Sequence, residues 1–222
     1  NSCEAAELAK IYENIFRSVN IGLANETKQI AKAINIDFIE TIKLASTKPF
    51  GFMRFDPGPG VGGHCIPVDP FYLSWKAKQL KINSKFIELS GKINSNMPII
   101  IFKEILVHLK KFKINRPKIL CLGLAYKKNI EDYRNSPSLK IFNLLLRKKL
   151  NVEFNDKFVS KIKIRNKNFS SLDIKNYSIL KKFDAVIILT DHDYYDYKKI
   201  IANSKLIFDT RGKIKSSNSI NL

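Results

Sequence analysis

Residues 118–126, KILCLGLAY, form a short and almost unbroken apolar run that ends beside two lysines. A run of that length, with no polar alternation, is the pattern of a strand buried on both faces. The downstream residues repeat the theme. Residues 136–149 carry helical spacing, 150–154 are extended, 185–190 form a second buried run, 194–202 are helical and 206–209 are extended again. Strands that alternate with helices predict a parallel α/β sheet. Upstream of Pro117 the period is different. Between residues 4 and 34, Leu8, Ile11, Tyr12, Ile15, Val19, Leu23, Ile30 and Ile34 recur at three- and four-residue spacing, which predicts one long amphipathic helix. On that helix Lys10, Asn14 and Arg17 line up as a polar stripe on another face. Residues 36–45, 70–80 and 86–111 read as further helices, with Pro98 expected to kink or break the last. The fold class is therefore α/β, an all-helical domain over 1–96 followed by a parallel-sheet domain over 97–222, with the long helix near residue 100 as the joint. Residues 213–222, rich in Ser, Asn and Lys, are expected to fray.

Composition narrows the function classes. The 222 residues are 45% apolar and 27% charged, as in a packed soluble protein. No apolar run reaches the ~18–20 residues of a membrane span, and the opening NSCEAAELAK lacks a secretory layout, so a cytoplasmic protein without a membrane role is expected. The chain begins without Met and enters an amphipathic pattern at once, which suggests that further sequence precedes it. Cys3, Cys65 and Cys121 are odd in number and lack paired spacing, and His64, His108 and His192 are scattered, so neither disulfides nor a metal site is expected. The net charge of +19 invites a nucleic-acid partner. Yet 32 of the 39 basic residues are Lys, spread thinly and without a recognition motif, so no nucleic-acid partner is inferred. The positive field suits an anionic nucleotide instead.

The sharpest chemical signal is FDPGPGVGGHCIPVDP at 55–70, inside a Gly- and Pro-rich loop from 47 to 70. Loops of that length with apolar content are usually functional. Glycines let backbone N–H groups approach a ligand, and here they deliver Cys65 into a polar, turn-rich setting where a thiolate can be stabilised. Gly62, Gly63 and His64 are candidates for that stabilisation or for an oxyanion site. Cys3 and Cys121 read as ordinary small hydrophobes.

Three segments taken together, AAELAKIYENIFRSVNIGLANE, GPGVGGHCIPVDPFYL and LGLAYKKNIEDYRNSPSL, resemble the UDP-glucose/GDP-mannose dehydrogenase family over nearly the whole chain. HCIPVDPFYLSWKA, with PFGFM ahead of it, is most similar to bacterial UDP-N-acetylglucosamine or N-acetylmannosamine 6-dehydrogenases. The resemblance implies a helical central, dimerising domain and a Rossmann-like UDP-sugar-binding domain. It also implies an NAD-dependent oxidation of a sugar C6 alcohol to a carboxylate for polysaccharide or glycan precursors. In that chemistry a thiolate attacks the aldehyde formed by a first hydride transfer. The thiohemiacetal loses a second hydride to become a thioester, and water releases the acid. By resemblance Cys65 is the nucleophile, Asp69 assists water or proton transfer, and Lys10 and Asn14 steady the oxyanion. Phe55, Gly58, Gly62 and Gly63 of the substrate loop bind the substrate together with Lys127 and Arg211, and Arg134 reaches toward NAD. Thr190, Asp191 and His192 are read as a helix cap without catalytic work.

Two departures qualify the likeness. No GxGxxG occurs, so the sheet is expected to be the UDP-sugar domain and NAD to bind mainly to a domain outside this chain, preceding it or on a separate polypeptide. A catalytic glutamate of the family would lie there too. Arg54 stands where an uncharged residue is expected. The expected partners are a UDP-sugar and a second copy docked through the long N-terminal helix. The rival reading is a non-catalytic UDP-sugar-binding or dimerisation fragment.

Overall fold

The computed structural model describes residues 2–222. The chain divides into two compact units, Asn1–Met97 and Pro98–Leu222.

The first unit is helical: α1 (Cys3–Ala33), α2 (Phe38–Ala45), α3 (Asp69–Gln79) and the first half of α4 (Lys85–Lys111). Ser2 starts α1, its Oγ accepting from Ala5 N–H, and α1 ends where Asn35 takes a left-handed φ of 57°. The face that α1 buries differs from the expected one. Leu8, Tyr12, Leu23, Ile30 and Ile34 are all at least half exposed, whereas Asn14, Ser18, Gly22 and Asn25 are buried. The reason is close packing, of Asn14 against Asp69 of α3 and of the others against α4. Asn25 Nδ2 donates to Asn94 Oδ1 (3.1 Å), Asn94 Nδ2 donates to the Ser18 carbonyl (2.9 Å), and the Ser18 and Ser90 hydroxyls meet at 3.4 Å. A Cβ on Gly22 would already lie 3.5 Å from Ser90. Small and amide side chains fill this seam; the large aliphatic ones are left outside it. A separate apolar cluster of Ala24, Ala31, Phe38 and Ile42 joins α1 to α2.

Helix α4 runs through Pro98 as one helix, so the expected break is absent. Met97, Ile101, Ile105 and Leu109 are buried at four-residue spacing across the proline. Burial contributes about 1.5–3 kcal/mol for each large side chain, which offsets the roughly 3 kcal/mol that an interior proline costs.

The second unit holds a five-stranded sheet in the order β2-β1-β5-β6-β7, with every neighbouring pair parallel. Its strands are β1 (Lys118–Leu122), β2 (Asn151–Asn155), β5 (Ala185–Ile188), β6 (Ile207–Asp209) and β7 (Ser219–Asn221), with α5 (Pro137–Arg147) and α6 (Tyr197–Asn203) among the connections. Strands β1, β5 and β6 are buried almost throughout, as the unbroken apolar runs require. The order reverses beside β1, so the carboxyl ends of β1 and β5 border the crevice where open α/β sheets take ligands.

Two elements depart from the expected pattern. A hairpin, β3 (Lys161–Ile164) and β4 (Lys167–Ser170), turns on Arg165 and Asn166 with φ of 48° and 63°. Two consecutive positive φ values make the tight turn that matches strand twist. The C-terminal tail does not fray: it forms β7, Ile207 N–H donates to the Asn218 carbonyl, and Leu222 N–H donates to the Asp209 carbonyl. The Asp209 carboxylate fixes the approach by accepting from the N–H groups of Arg211, Lys213 and Ile214.

Candidate functional site

In the helical unit the Gly-rich loop is tied down from α1. Gly58 N–H donates to Asn25 Oδ1 at 2.8 Å, and Pro57, Gly58 and Pro59 are buried. Phe55 meets Phe16 edge-on with ring centroids 5.6 Å apart, and it packs on the α1–α2 cluster. Gly60 and Gly63 take φ of 121° and 85°, conformations that a side chain would strain. Gly63 is buried and Gly62 partly so. Asn25 carries the loop, and sequence reasoning missed it; a single asparagine on a helix gives no signal until its partner is known.

Cys65 is exposed, at the turn that starts α3. Its carbonyl accepts from the N–H groups of Val68 (3.1 Å) and Asp69 (2.8 Å), so Asp69 opens the helix one turn beyond the cysteine. Asp69 Oδ2 in turn accepts from Asn14 Nδ2 at 2.8 Å. Asn14 is 1% exposed, which separates it from Lys10 and Arg17 on the expected polar stripe. Lys10 lies in solvent, where Nζ binds Glu13 Oε2 at 3.0 Å. An exposed pair of this kind is readily exchanged for another anion. Arg54 pairs with Asp56 at 2.7 Å, so its charge is answered within the loop. Just beyond Cys65, Pro67, Val68, Phe71, Tyr72 and Trp75 line an apolar cavity of about 480 Å³.

In the sheet unit the carboxyl end of β1 is built by close approach. Gly123 has φ of 83°, and a Cβ there would stand 2.5 Å from Thr190 Cβ. Thr190 Oγ1 donates to the Ala125 carbonyl (2.6 Å) and meets Ser138 Oγ at 3.0 Å. Asp156, at the end of β2, closes the loop. Its Oδ2 accepts from Leu124 N–H (2.7 Å) and Ala125 N–H (2.9 Å), and its Oδ1 from Phe158 N–H (2.9 Å) and Val159 N–H (3.2 Å). His192 Nε2 stands 3.1 Å from Oδ2. Burial alone would push the carboxyl up, but the bonds from His192, Ala125 and Leu124 outweigh it and hold Asp156 below the usual carboxylate range. His192 is fully buried, and the next helix is capped by Asp196, so the expected helix cap at 190–192 is replaced by a core polar cluster.

This arrangement bears on NAD. The backbone N–H groups after β1 are already satisfied, Gly123 by the Asn155 carbonyl and Leu124 and Ala125 by Asp156, and the Gly-rich turn that brings a pyrophosphate close is missing. The sheet does not fit a dinucleotide in that place. Arg134, expected to reach toward NAD, is exposed and gripped by Asp132, with Nη2 to Oδ2 at 2.7 Å and Nε to Oδ1 at 3.0 Å.

Two cations border the same carboxyl edge. Lys127 is exposed and has no ion pair or hydrogen-bond partner among the described residues. Arg211, after β6, is largely buried; Nε donates to the Leu189 carbonyl at 2.7 Å and stands 3.9 Å from Asp191 Oδ1. Burial lowers its pKa, against the pull of Asp191 and Asp209, yet a guanidinium stays charged. Lys213 reaches Asp191 at 2.8 Å. Cys121, fully buried in β1, has its thiol pushed far up by burial and is inert. Among the described residues no group of three or more His, Cys, Asp or Glu is placed to hold a metal, and no helix is long and apolar enough to cross a membrane.

Comparison with known proteins gives a consistent result. Residues 4–96 match the UDP-glucose/GDP-mannose dehydrogenase family, central domain, and residues 120–216 match the same family's UDP binding domain. A UDP-N-acetyl-D-mannosamine dehydrogenase of Methanococcus maripaludis is 36% identical over 220 residues, 96% of this chain and 49% of that protein. Protein CapL of Staphylococcus aureus is 36% identical over 97% of this chain and 52% of its own length. Among solved structures, the UDP-D-ManNAc dehydrogenase of Pyrococcus horikoshii superposes with a TM-score of 0.80 at 34% identity, covering 96% of this chain and 49% of that one. The UDP-N-acetyl-mannosamine dehydrogenase Cap5O of S. aureus gives 0.78 at 32% identity, covering 100% and 51%. The chain thus spans about half the length of the curated relatives it matches.

Proposed function

Because the chain belongs to the UDP-glucose/GDP-mannose dehydrogenase family, we propose that it supplies the nucleophile and the nucleotide-binding residues of an NAD-dependent UDP-N-acetylhexosamine 6-dehydrogenase. Its place is the cytoplasmic synthesis of glycan precursors. The observation that carries this reading is the Cys65 turn. It presents an exposed thiol and sets Asp69, one helical turn later, against the buried amide of Asn14. Cys65 Sγ attacks the C6 aldehyde, forming a C–S bond while the carbonyl oxygen takes the negative charge. Asn14 and Lys10, the latter released from Glu13, stabilise that oxygen. Asp69 accepts a proton from the water that later cleaves the thioester and returns the cysteine thiolate. Phe55, Gly58, Gly62 and Gly63 give the substrate loop its shape.

Lys127 and Arg211 bind the diphosphate of the UDP-sugar. NAD, when bound, would supply the hydride acceptor; this chain's sheet offers it no pyrophosphate cradle, so a preceding domain or a separate chain would hold it. Arg134 contributes to NAD only after leaving Asp132. A second reading, a UDP-sugar-binding or dimerisation module without catalysis, draws support from the outward apolar stripe of α1.

One experiment separates the two. The 222-residue chain is mixed with the 6-aldehyde of a UDP-N-acetylhexosamine, UDP binding is measured by calorimetry, and the protein mass is read under native conditions without a reductant. A one-to-one adduct at Cys65, absent in Cys65→Ser, supports the nucleophile. Binding without an adduct supports a UDP-sugar-binding module; neither binding nor an adduct overturns both the enzyme reading and the UDP-binding one.

A further inference from the structure

The segment after β1 is clasped at both ends, and between them Tyr126 N–H donates to the Asp132 carbonyl (3.0 Å) and Lys128 Nζ to Asp193 Oδ1 (2.9 Å), which leaves Lys127. Asp156 holds Leu124 and Ala125 by their N–H groups, and Asn129 N–H donates to His192 Nδ1 at 2.9 Å. Because Nδ1 accepts, the proton of the neutral ring sits on Nε2, which faces Asp156 Oδ2. His192 therefore works in both directions, donating to the carboxylate that fixes one end of the loop and accepting from the amide that fixes the other. Its ring cannot turn freely: it is stacked on Tyr194 (centroids 5.4 Å apart, 27° between planes) and flanked by Phe158 at 5.1 Å and Tyr195 at 5.7 Å. From outside, Asp193 adds two further bonds to Asn129, one to its side-chain amide and one from Asp193 N–H to Asn129 Oδ1. Between these fixed ends stands Lys127, exposed and without a partner among the described residues.

We infer that His192 is a positioning residue for the diphosphate-binding cation: by holding Asn129 and Asp156 together it aims Lys127 at the crevice beyond β1 and β5. The inference rests on the proposed reading that Lys127 contacts the diphosphate. A lysine side chain loses much rotamer freedom when it binds, and a fixed backbone spares it the further cost of ordering the loop.

A double-mutant cycle in the full 222-residue chain tests it, with UDP and inorganic pyrophosphate as probes in calorimetry. Glutamine at 192 keeps a donor near the Nε2 position but loses the Nδ1 acceptor, whereas asparagine keeps an acceptor near Nδ1. Lys127→Ala is expected to weaken UDP about tenfold, the scale of one charge-assisted hydrogen bond. His192→Gln is expected to weaken it by a similar factor, Lys127→Ala to add little on top, and His192→Asn to recover most of the affinity. The Asn129 amide should exchange with solvent faster in His192→Gln than in the wild type. If Lys127→Ala leaves binding unchanged, the diphosphate reading itself fails. If Lys127→Ala weakens binding but His192→Gln does not, or if the two losses simply multiply, the positioning role is overturned. Should His192→Gln fail to fold, the wild-type chain carries the test: the Asn129 amide, which donates to His192 Nδ1, is expected to be protected from exchange already without UDP, and an amide that exchanges freely until UDP is added overturns the positioning role.

Discussion

Asn14 Nδ2 donates to Asp69 Oδ2 across 2.8 Å, joining residues 55 positions apart through the side of α1 and the first turn of α3. Asn14 is buried, so the bond cannot be replaced by water without rearrangement. Asn14→Ala leaves the carboxylate short of a donor and opens a small cavity, at a cost of about 1–3 kcal/mol. Asn14→Asp should cost more at neutral pH, because it sets a second carboxylate against the first. Urea unfolding of the helical unit, followed by circular dichroism, checks both the losses and their order.

The three cysteines should separate cleanly under alkylation. Cys3 and Cys65 are exposed, whereas Cys121 is fully enclosed and its thiol is held in the protonated form by burial. Thiolate fraction and access together set the rate. Peptide mass spectrometry after brief iodoacetamide treatment should find Cys65 and Cys3 modified and Cys121 untouched until denaturant is added. Modification of Cys121 in the folded chain would contradict the burial of β1.

What could be read from sequence divides along physical lines. The helices and the buried strands were legible because their periodicity is carried by large apolar residues. The Cys65 loop was legible because glycine and proline in that density admit little else. Which face α1 buries was not, since that face is made of Asn14, against Asp69 of α3, and of Ser18, Gly22 and Asn25, against α4, residues that ordinarily mark a solvated face. The β3–β4 hairpin hid because Arg165 and Asn166 make its tight turn without glycine. The last strand hid because β7 is held by its backbone and by Asp209 rather than by apolar side chains. His192 was misread because a Thr-Asp-His stretch resembles a helix cap, and only Asp156, 36 residues earlier, reveals its use.

Two glycines make opposite predictions. At Gly123 a Cβ would meet the backbone and Cβ of Thr190 within 2.5–2.9 Å, and φ is 83°. Neither strain can relax, so Gly123→Ala should cost about 2–4 kcal/mol and lower the melting temperature of the sheet unit. At Gly91 the nearest atom, at 2.4 Å, is the far end of the Phe71 ring, which is 44% exposed. That ring can swing away, and alanine gains roughly 1 kcal/mol of helix propensity, so Gly91→Ala should be close to neutral. Paired thermal melts distinguish the cases.

Alkaline titration should expose three partly or fully buried tyrosines, Tyr194 and Tyr195 beside His192 and Tyr197 at the start of α6. Burial pushes Tyr194 up to about 12, and burial likewise raises Tyr195 and Tyr197 above the ordinary value. In the unfolded chain all three ionise near 10. A folded pKa above the unfolded one means stability that is fully present below about pH 10 and lost as pH rises through the folded values. Absorbance at the phenolate band should therefore show delayed ionisation in the native chain, with unfolding setting in above about pH 10. Tyr194→Phe should remove part of that loss, although it also deprives Lys157 N–H of its acceptor and Asn155 of a donor.

The apolar stripe that α1 turns outward supplies the last prediction. Leu8, Tyr12, Leu23, Ile30 and Ile34 fall along one side of a 31-residue helix and its C-cap over about 39 Å, and each is 50–66% exposed. An exposed apolar stripe of that length is unusual on a monomer and is typical of a surface that a partner covers. A second copy covers it most simply, since an isologous pairing sets the same stripe against itself and closes the assembly. The wild-type chain should sediment as a dimer at micromolar concentration. Leu23→Glu with Ile30→Glu places charges in the middle of the seam without touching the Asn25–Asn94 packing on the opposite face, so it should yield a folded monomer with unchanged circular dichroism. A wild-type chain that stays monomeric at that concentration would count against self-association and would leave the stripe to a different polypeptide.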